Sequence, residues 1–361
     1  MKMRKIVCSF MISVVCFMTA ISGVSATSYD TSKINAAYSK VVEYYKNNNN
    51  LNNADKILAV ESLGLEAESN QFDTSSADLS STSLSKKIVT EVLLGVDPTE
   101  DKKTLESQID ENGNVEGSWG ASSDVWTLYA LYVTSSEKTN LIANKLNDEL
   151  AASSVCGYEW GGTYYADYDT TGWVIEGLAV VNKEKYATTI NKAIDYIKNN
   201  TTMTTTGWVT ADNVDTQSQV LEGMFAYDTN ALLNDSYTVH PVDCLLNTQL
   251  SDGSFPSGYN AEYTTAEVAK TLGTYKNGSV IIKAKKAYDK MMNPEQPDNT
   301  KPAQPTDTKK DSQSTNKVET TNQKTTSVKT GDETNVVIFV SLSMVSGGLF
   351  LVLRKEYESV H

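Results

Sequence analysis

Apolar residues recur three and four positions apart through most of this chain, and one such helical pattern occurs twice in register. Residues 169–178 and 215–224 both begin with an Asp-Thr pair, continue through an apolar stripe and contain a Glu-Gly pair near their ends. The copies are offset by about 46 residues, a period typical of helical repeat proteins. The spacing predicts an amphipathic helix in each copy, with the Asp-Thr pair as its N-cap.

Looser copies of this helix are predicted over residues 55–67, 83–95, 122–133 and 263–275. A second, more polar helix precedes most of the predicted helices. These outer helices are predicted over 99–110, 140–153, 185–199 and 241–250.

A turn that combines glycine with an aromatic residue stands between the two helices of most pairs. These turns are Gly117–Trp119, Gly157–Trp160, Gly207–Trp208 and Gly253–Phe255. The repeating unit is therefore an outer helix, a Gly-aromatic turn and an inner helix. About six such hairpins fit between Ser32 and Met292. The sequence predicts an all-α fold in which a closed ring of hairpins buries the inner helices on all sides.

Two segments resemble a known superfamily. Asp252–Phe255, after Leu245–Gln249, is similar to the Gln…Gly-x-aromatic turn of the terpenoid cyclase and prenyltransferase-like proteins, the squalene-cyclase repeat superfamily. Residues 83–98 resemble a segment of its secreted bacterial members. The resemblance implies an α/α toroid over residues 27–292. Vitamin B12 carriers share that fold, and their inner helices also open with Asp-Thr.

The N-terminus has the three parts of a secretory signal peptide. Cationic residues precede position 6, an apolar stretch covers 6–21, and the small residues Val24-Ser25-Ala26 form a cleavage site. We therefore expect residues 1–26 to be removed and the remaining chain to be exported.

The C-terminus has the composition of an anchor. Residues 293–335 are rich in Pro, Thr, Lys and Gln and predict a disordered linker. An apolar segment over 336–353 has the length of a transmembrane helix, and a cytoplasmic tail over 354–361 follows.

A motif over 327–332 resembles a Gram-positive cell-wall sorting signal, although Lys329-Thr330-Gly331 lacks the usual Leu-Pro before it. The resemblance implies that a sortase cuts between Thr330 and Gly331 and joins Thr330 to peptidoglycan. The alternative is a simple single-pass membrane anchor. Peptidoglycan or the membrane is therefore the expected partner at this end, and both alternatives place a monomeric toroid outside the cell.

The charge narrows the classes of partner. The formal net charge is −14, and nearly all of the acidic excess falls within residues 27–292. That excess disfavours nucleic acid and anionic membrane surfaces as partners. Of the four cysteines, Cys8 and Cys16 leave with the signal peptide. Cys156 and Cys244 are interpreted as buried apolar residues, although one disulfide between them is possible.

Carboxylates at equivalent positions of the inner helices are the first candidate for chemistry. Glu176 and Glu222 are equivalent, and Asp169 and Asp215 lie two helical turns before them on the same face. The remaining equivalent positions hold Glu61, Glu91, Tyr129 and Lys270. Facing a central cavity, such carboxylates would serve as general acid and base or bind a cationic ligand. Alternatively, each packs between helices and pairs with Lys or Tyr.

Residues 167–171, Asp-Tyr-Asp-Thr-Thr, resemble the acidic motif of squalene-hopene cyclases. The resemblance implies that Asp169 is a proton donor, although Thr170 stands where that family has a further Asp. The aromatic residues that would form a cage for cationic intermediates are Trp160, Tyr164, Tyr165, Trp173 and Trp208. The same motif is also an ordinary helix cap.

Metal and cofactor sites are not indicated. His240, Asp243 and Cys244 are the residue types that hold zinc in protein prenyltransferases, but they lie together on one predicted outer helix. The predicted toroid contains one histidine, which precludes a Ser-His-Asp triad. We therefore expect neither a metal nor a cofactor.

These observations favour a surface-displayed binding module whose extracellular ligand is unknown: a glycan, a small molecule or a partner protein. Its site is expected at the N-terminal ends of the inner helices, where exposed amides and loop aromatics meet. The expected binding residues are Asp167, Asp169, Trp160, Tyr164, Trp173, Trp208 and Asp215. The alternative is an extracellular enzyme, cyclase-like or glycan-active, with Asp169, Glu176, Asp215 and Glu222 as its catalytic candidates.

Overall fold

The computed structural model describes residues 29–68, 80–200, 214–237, 239–257 and 260–294. All of them belong to one compact unit. The predicted signal peptide, sorting motif, transmembrane helix and tail lie outside the described residues, as does all but the beginning of the predicted linker.

The described residues are mostly helical, in agreement with the predicted all-α class. The helices are α1 (Ser32–Asn47), α2 (Ala54–Ser62), α3 (Ser81–Leu93), α4 (Thr99–Ser107), α5 (Ala121–Val133), α6 (Thr139–Ser153), α7 (Tyr168–Asn200), α8 (Val214–Asn234), α9 (Pro241–Leu246), α10 (Ala261–Asn277) and α11 (Val280–Met292). Two short strands, β1 (Gly157–Trp160) and β2 (Thr163–Ala166), stand between α6 and α7.

Six helices contact one another in a closed cycle. In order, α2 packs on α3, α3 on α5, α5 on α7, α7 on α8, α8 on α10, and α10 returns to α2. We call these six the inner helices. The others pack around them: α1 contacts α9 and α10, α4 contacts α3 and α5, and α6 contacts α5 and α7. The cycle gives each inner helix a neighbour on both sides.

Burial separates the two kinds of helix. Every residue of α10 from Thr264 to Thr274 is buried, which requires neighbours on all of its faces. In α1 only Ile34, Ala37, Val41 and Tyr45 are buried, at the spacing of a single helical stripe. The inner helices therefore tolerate buried polar residues that an outer helix would turn to solvent.

Glycines allow two of these helix pairs to approach closely. A Cβ at Gly223 would lie 2.2 Å from the carbonyl oxygen of Gly172, and one at Gly172 would lie 2.4 Å from that of Gln219. At the contact between α10 and α2, a Cβ at Gly273 would lie 2.6 Å from the Ser62 backbone. Any larger residue would separate the backbones.

Two inner helices continue directly into a second helix, and one of these continuations is the outer helix predicted over 185–199. The backbone leaves the helical conformation at Asn182 within α7 and at Asp228 within α8. The Asn182 side chain accepts a hydrogen bond from Lys185 N at 2.9 Å, and Asp228 accepts one from Ala231 N at 2.9 Å. Each residue therefore ends one helix and caps the next, which explains why the predicted outer helix began at Lys185.

The segment Gly157–Trp160, predicted as a Gly-aromatic turn, is instead a strand. It pairs with β2 in antiparallel register, with Tyr158 opposite Tyr165. The turn lies at Gly161 and Gly162, whose φ angles of 58° and 78° are those of a two-residue hairpin loop. Consecutive Tyr, Trp and Thr residues favour strand formation, which the helical repeat pattern had obscured.

The remaining Gly-aromatic turns are not equivalent either. Trp119 is 69% exposed, whereas Phe255 is completely buried. Gly207 and Trp208 lie outside the described residues. The similarity of these turns in sequence therefore does not extend to a shared position for the aromatic ring.

None of the helices within the described ranges combines the length and the apolar character needed to cross a bilayer.

Candidate functional site

The predicted register brings four of the equivalent inner-helix residues into one buried cluster, which we call the interior cluster: Tyr129, Glu176, Glu222 and Lys270. The Tyr129 hydroxyl lies 3.0 Å from Glu176 Oε2 and donates to it. Ser279, immediately before α11, donates its hydroxyl to Glu176 Oε1 at 2.6 Å. Both oxygens of Glu176 are thus occupied by partners from other helices.

The second half of the interior cluster surrounds Lys270. Its ammonium group lies 3.9 Å from Glu222 Oε2 and 3.0 Å from Glu267 Oε1. Gln219 donates to the other oxygen of Glu267 at 3.1 Å. Sequence reasoning missed Glu267, because it lies outside the repeated position. The sequence did offer one indication of its role: Glu267 lies one helical turn before Lys270, at a spacing that allows the two side chains to pair.

Burial and repulsion between neighbouring charges raise the pKa of two of these carboxyl groups, Glu176 and Glu222. Burial raises the pKa of Glu222 well above its usual value, and the nearby Glu176 and Glu267 raise it further despite the opposing effect of Lys270. Burial also raises the pKa of Glu176. Burial alone would lower the pKa of Lys270, but the charges of Glu267 and Glu222 outweigh it and raise that pKa. Lys270 therefore stays positively charged, and its charge offsets part of the repulsion between Glu222 and Glu267.

Glu61 and Glu91 do not join the interior cluster. Glu61 accepts a hydrogen bond from Ala67 N at 2.7 Å and pairs with Lys283 of α11 at 2.6 Å. Glu91 lies 3.5 Å from Lys87 on its own helix, and burial raises its pKa to about 7. These two carboxylates fix local structure at the ends and outer side of α2 and α3.

The acidic motif at the start of α7 divides its roles differently from the prediction. Asp167, rather than Asp169, caps the helix: its Oδ1 accepts from Thr170 N at 3.1 Å, and its Oδ2 accepts from the Thr170 hydroxyl at 2.7 Å. Asp169 lies one residue inside α7 and keeps its carboxyl available for other contacts.

Asp169 is the one predicted catalytic candidate that combines partial exposure with a pKa near neutrality. Burial and the charges of Asp167 and Asp215 raise its pKa to about 7, against the opposing effect of a hydrogen bond with Thr216. Asp215, its counterpart in the second copy, is only 2% exposed. The two copies therefore place equivalent carboxyl groups in different environments.

Aromatic rings of α5 and α7 pack beside Tyr129 of the interior cluster. Trp126 packs edge-on against Tyr129 at 5.3 Å and against Trp173 at 6.0 Å. The ammonium groups of Lys86 and Lys270 lie 4.6 and 5.5 Å from the centre of the Trp126 ring. Trp126 was not among the predicted aromatic residues, yet the ammonium groups of the buried Lys270 and the partly buried Lys86 both lie over its ring.

The other predicted aromatic residues are not gathered with Trp173. Tyr164 lies in β2, is 45% exposed, and donates its hydroxyl to Val155 O at 2.9 Å. Trp160 lies in β1, but its side chain is outside the described residues, as is Trp208. Among the described residues, the predicted cage residues are divided between the hairpin, which holds Tyr164 and Tyr165, and α7, which holds Trp173.

Two cavities open on the described surface, and neither is lined by Asp169, Glu176, Asp215 or Glu222. One, of about 200 Å³, lies between α2 and α11 beside Glu61, Ser279 and Lys283. The other, of about 280 Å³, lies beside Tyr44 and Lys56.

The potential zinc ligands and nucleophiles have structural positions. His240 is the N-cap of α9, where its Nδ1 accepts from Val242 N at 3.3 Å. Cys156 and Cys244 are buried and are not joined by a disulfide. Burial raises the pKa of the Cys156 thiol to about 12, so that it is not a nucleophile at neutral pH. Within the described ranges no group of three or more His, Cys, Asp and Glu side chains is arranged to hold a metal ion.

Comparisons with protein-family models, with curated proteins and with solved structures give no match for this chain.

Proposed function

We propose that residues 27–292 form an α/α toroid and act as an extracellular binding module. The closed cycle of inner-helix contacts supports the toroid. The proposed ligand-binding end is the one formed by the N-terminal ends of the inner helices and by the loops that lead into them. The ligand is a glycan, a small molecule or a partner protein.

The observation that carries this proposal is that the interior carboxylates already have partners. Glu176 contacts Tyr129 and Ser279, and Glu222 and Glu267 share Lys270. Glu176 and Glu222 are each only 2% exposed, so substrate would need an opening to reach them, and the two cavities described above are lined by other residues. Ligand recognition is therefore assigned to the surface rather than to the interior.

A thermal-shift screen tests the binding module. Residues 27–298 would be heated with panels of glycans and metabolites, because a ligand that binds the native state raises the melting temperature. We expect at least one panel to raise it in proportion to the logarithm of ligand concentration. A screen in which every compound leaves the midpoint unchanged, together with no retained partner protein, overturns the proposal.

An enzymatic function is the second candidate, and Asp169 is the observation that favours it. A partly exposed carboxyl with a pKa of about 7 suits a general acid. The variant Asp169→Asn separates the two functions. Any hydrolase or cyclase activity of the wild type must disappear in this variant, whereas ligand binding that persists in it supports the module without catalysis.

We propose that the module is held at the outer face of a Gram-positive envelope through Thr330 or through residues 336–353. Replacing both Thr330 and Gly331 with Ala distinguishes the two anchors. A wall-linked protein is released by muramidase and not by detergent, and the variant loses that behaviour. A wild type that detergent extracts directly supports the simple membrane anchor.

A further inference from the structure

Exposed aromatic rings concentrate at one end of the described molecule. Of the large apolar side chains exposed among the described residues, the four aromatic ones all directly precede α5 or α7. They are Trp119, Tyr158, Tyr164 and Tyr165. Trp126 of α5 contacts Trp173 of α7, and Tyr129 of α5 contacts Glu176 of α7. The two helices therefore run in the same direction, and the segments that precede them lie at the same end of this pair. Exposing rings costs free energy that a bound ligand would recover.

The β1–β2 hairpin arranges two of these rings as a pair. Tyr158 and Tyr165 are cross-strand partners, and their rings stack with centroids 5.5 Å apart and planes inclined by 19°. They are 52% and 44% exposed. Tyr164, the neighbour of Tyr165 along the strand, points to the opposite face of the hairpin by the alternation of strand side chains. The stacked pair thus forms its own small aromatic surface.

The hairpin is held firmly against the helices. Asp167 N donates to Cys156 O at 2.7 Å and closes its base. The Thr171 hydroxyl, in the first turn of α7, accepts from Cys156 N at 2.9 Å. A Cβ at Gly157 would lie 2.1 Å from the Tyr165 carbonyl oxygen, so the strand passes at a distance that only glycine permits. A surface fixed in this way loses little conformational entropy when a ligand binds.

We propose that the Tyr158–Tyr165 pair is a docking platform for a neutral polysaccharide. This inference rests on the proposed binding module and names its ligand class. The axial C–H bonds of a pyranose ring present a flat, weakly positive face, which packs on the electron-rich face of a tyrosine ring. The phenol groups at the ring edges remain able to hydrogen-bond to sugar hydroxyls.

Charge and composition favour this ligand over two others. The hairpin and its flanks carry no Lys or Arg between Ser154 and Asn182, and the whole chain is acidic, which disfavours a polyanion. Residues 157–166 also contain no Leu, Ile, Val, Met or Arg. A protein interface needs several hundred Å² on each side, with such side chains around its aromatic anchors. A pair of rings suits a narrow linear polymer better.

The test is retention of the full chain, purified in a detergent without a sugar head group, on amorphous cellulose, chitin and insoluble β-1,3-glucan. Two double variants discriminate the modes of contact. Tyr158→Ala with Tyr165→Ala removes the rings, and Tyr158→Leu with Tyr165→Leu keeps apolar area but removes the flat faces. The matched control is Leu250→Ala, which truncates an exposed apolar residue in another loop.

We expect at least one of the three polysaccharides to retain the wild type and the control equally, and both double variants to bind at least tenfold more weakly. Circular dichroism checks that the variants keep their helices.

Three outcomes overturn the inference. The first is no retention of the wild type on any of the polysaccharides, and the second is retention that both double variants preserve. The third is a ligand that the Leu variant binds as well as the wild type does, which indicates a protein partner. If the thermal-shift screen finds a ligand while all three polysaccharides fail, the binding module stands without this platform. If both fail, neither proposal survives.

Discussion

At the scale of single residues, the inner helices raise the pKa of several of their carboxyl groups above the ordinary value. Glu176, Glu222 and Asp169 all have raised pKa values, and burial is the largest cause in each case. Lys270 is one positive charge among several carboxyl groups, so it compensates only part of their negative charge. The free energy of unfolding therefore depends on pH through buried carboxyl groups as well as through exposed ones.

Asp169 gives that pH dependence a defined range. A carboxyl whose pKa is raised on folding contributes stability that is complete below its unfolded value of about 4 and is lost as the pH rises through its folded value. For Asp169 the folded value is about 7. We expect the free energy of unfolding to fall between about pH 4 and about pH 7, the unfolded and folded pKa values of this carboxyl. The Asp169→Asn variant should reduce that fall by about 1–2 kcal/mol, allowing for its partial exposure.

Urea unfolding at a series of pH values measures this effect. Asp195→Asn, at an exposed position in the second half of α7, is the matched control and should leave the wild-type pH profile unchanged. An Asp169→Asn profile that is parallel to the wild type would show that the carboxyl does not retain its proton.

Tyr129 supplies a second residue-scale prediction. Its hydroxyl contacts Glu176 Oε2 and Trp173 O inside the core, so Tyr129→Phe leaves buried acceptors without this donor. We expect a loss of about 2 kcal/mol in the free energy of unfolding. Tyr186→Phe is the control: that ring is equally buried, but its hydroxyl contacts the exposed Asn144, and the loss should stay below about 1 kcal/mol. Equal losses in chemical denaturation would contradict a special role for the interior hydrogen bond.

The sequence repeat predicted part of this residue pattern. It brought Tyr129, Glu176, Glu222 and Lys270 together because they occupy one position on successive inner helices. It missed Glu267 and Ser279, which come from non-repeated positions. It wrongly grouped Glu61 with them, because Glu61 lies at the very end of α2, where the chain turns towards the following loop and α11.

At the scale of elements, apolar spacing was enough to find the helices, and glycine determines how closely two of them pack. The periodicity predicted both halves of α7 but not the kink at Asn182, since a single side-chain cap decides where one helix ends and the next begins. It also missed the β1–β2 hairpin, whose pairing depends on cross-strand contacts that a helical period cannot reveal.

The close contact between α7 and α8 can be tested with two equivalent glycines, one of which serves as the control for the other. Gly177 and Gly223 are equivalent in sequence, yet a Cβ at Gly223 meets backbone at 2.2 Å, whereas the closest atom to one at Gly177 is a Leu128 methyl carbon at 3.1 Å. Both Ala variants gain helix propensity of about 1 kcal/mol. We expect Gly223→Ala to destabilise by about 2–3 kcal/mol because the helices must separate. Gly177→Ala should be close to neutral.

Melting temperature and urea midpoint report the difference between the two variants. A Gly223→Ala protein as stable as the Gly177→Ala protein would mean that α7 and α8 do not cross at the described distance.

At the scale of the whole described unit, the return of α10 onto α2 removes the free ends that an open helical array would have. In an open array the terminal helices open first, because each has only one neighbour. Here α2 has α3 on one side and α10 on the other. The cycle therefore joins the early and late parts of the chain into one cooperative structure.

Native-state hydrogen exchange tests this closure. We expect the slowest amides of α2 and of α10 to exchange with the same free energy, equal to that of global unfolding within about 1 kcal/mol. The outer helix α1, buried along one stripe only, should open at a lower free energy. Exchange from α2 that is clearly faster than from α7 and α8 would indicate an open array.

Helix α11 has a mechanical consequence. It contacts α2, α3, α5 and α10. Lys283 joins it to Glu61, and Ser279, just before its first residue, donates to Glu176. Everything that follows in the chain leaves from its last turn at Met292. A pull on the C-terminal side would therefore load α11 before any inner helix, and from its far end, so its contacts would break one after another rather than together. We therefore expect α11 to yield first under such a pull, with the ion pair between Lys283 and Glu61 breaking before the contact between Ser279 and Glu176.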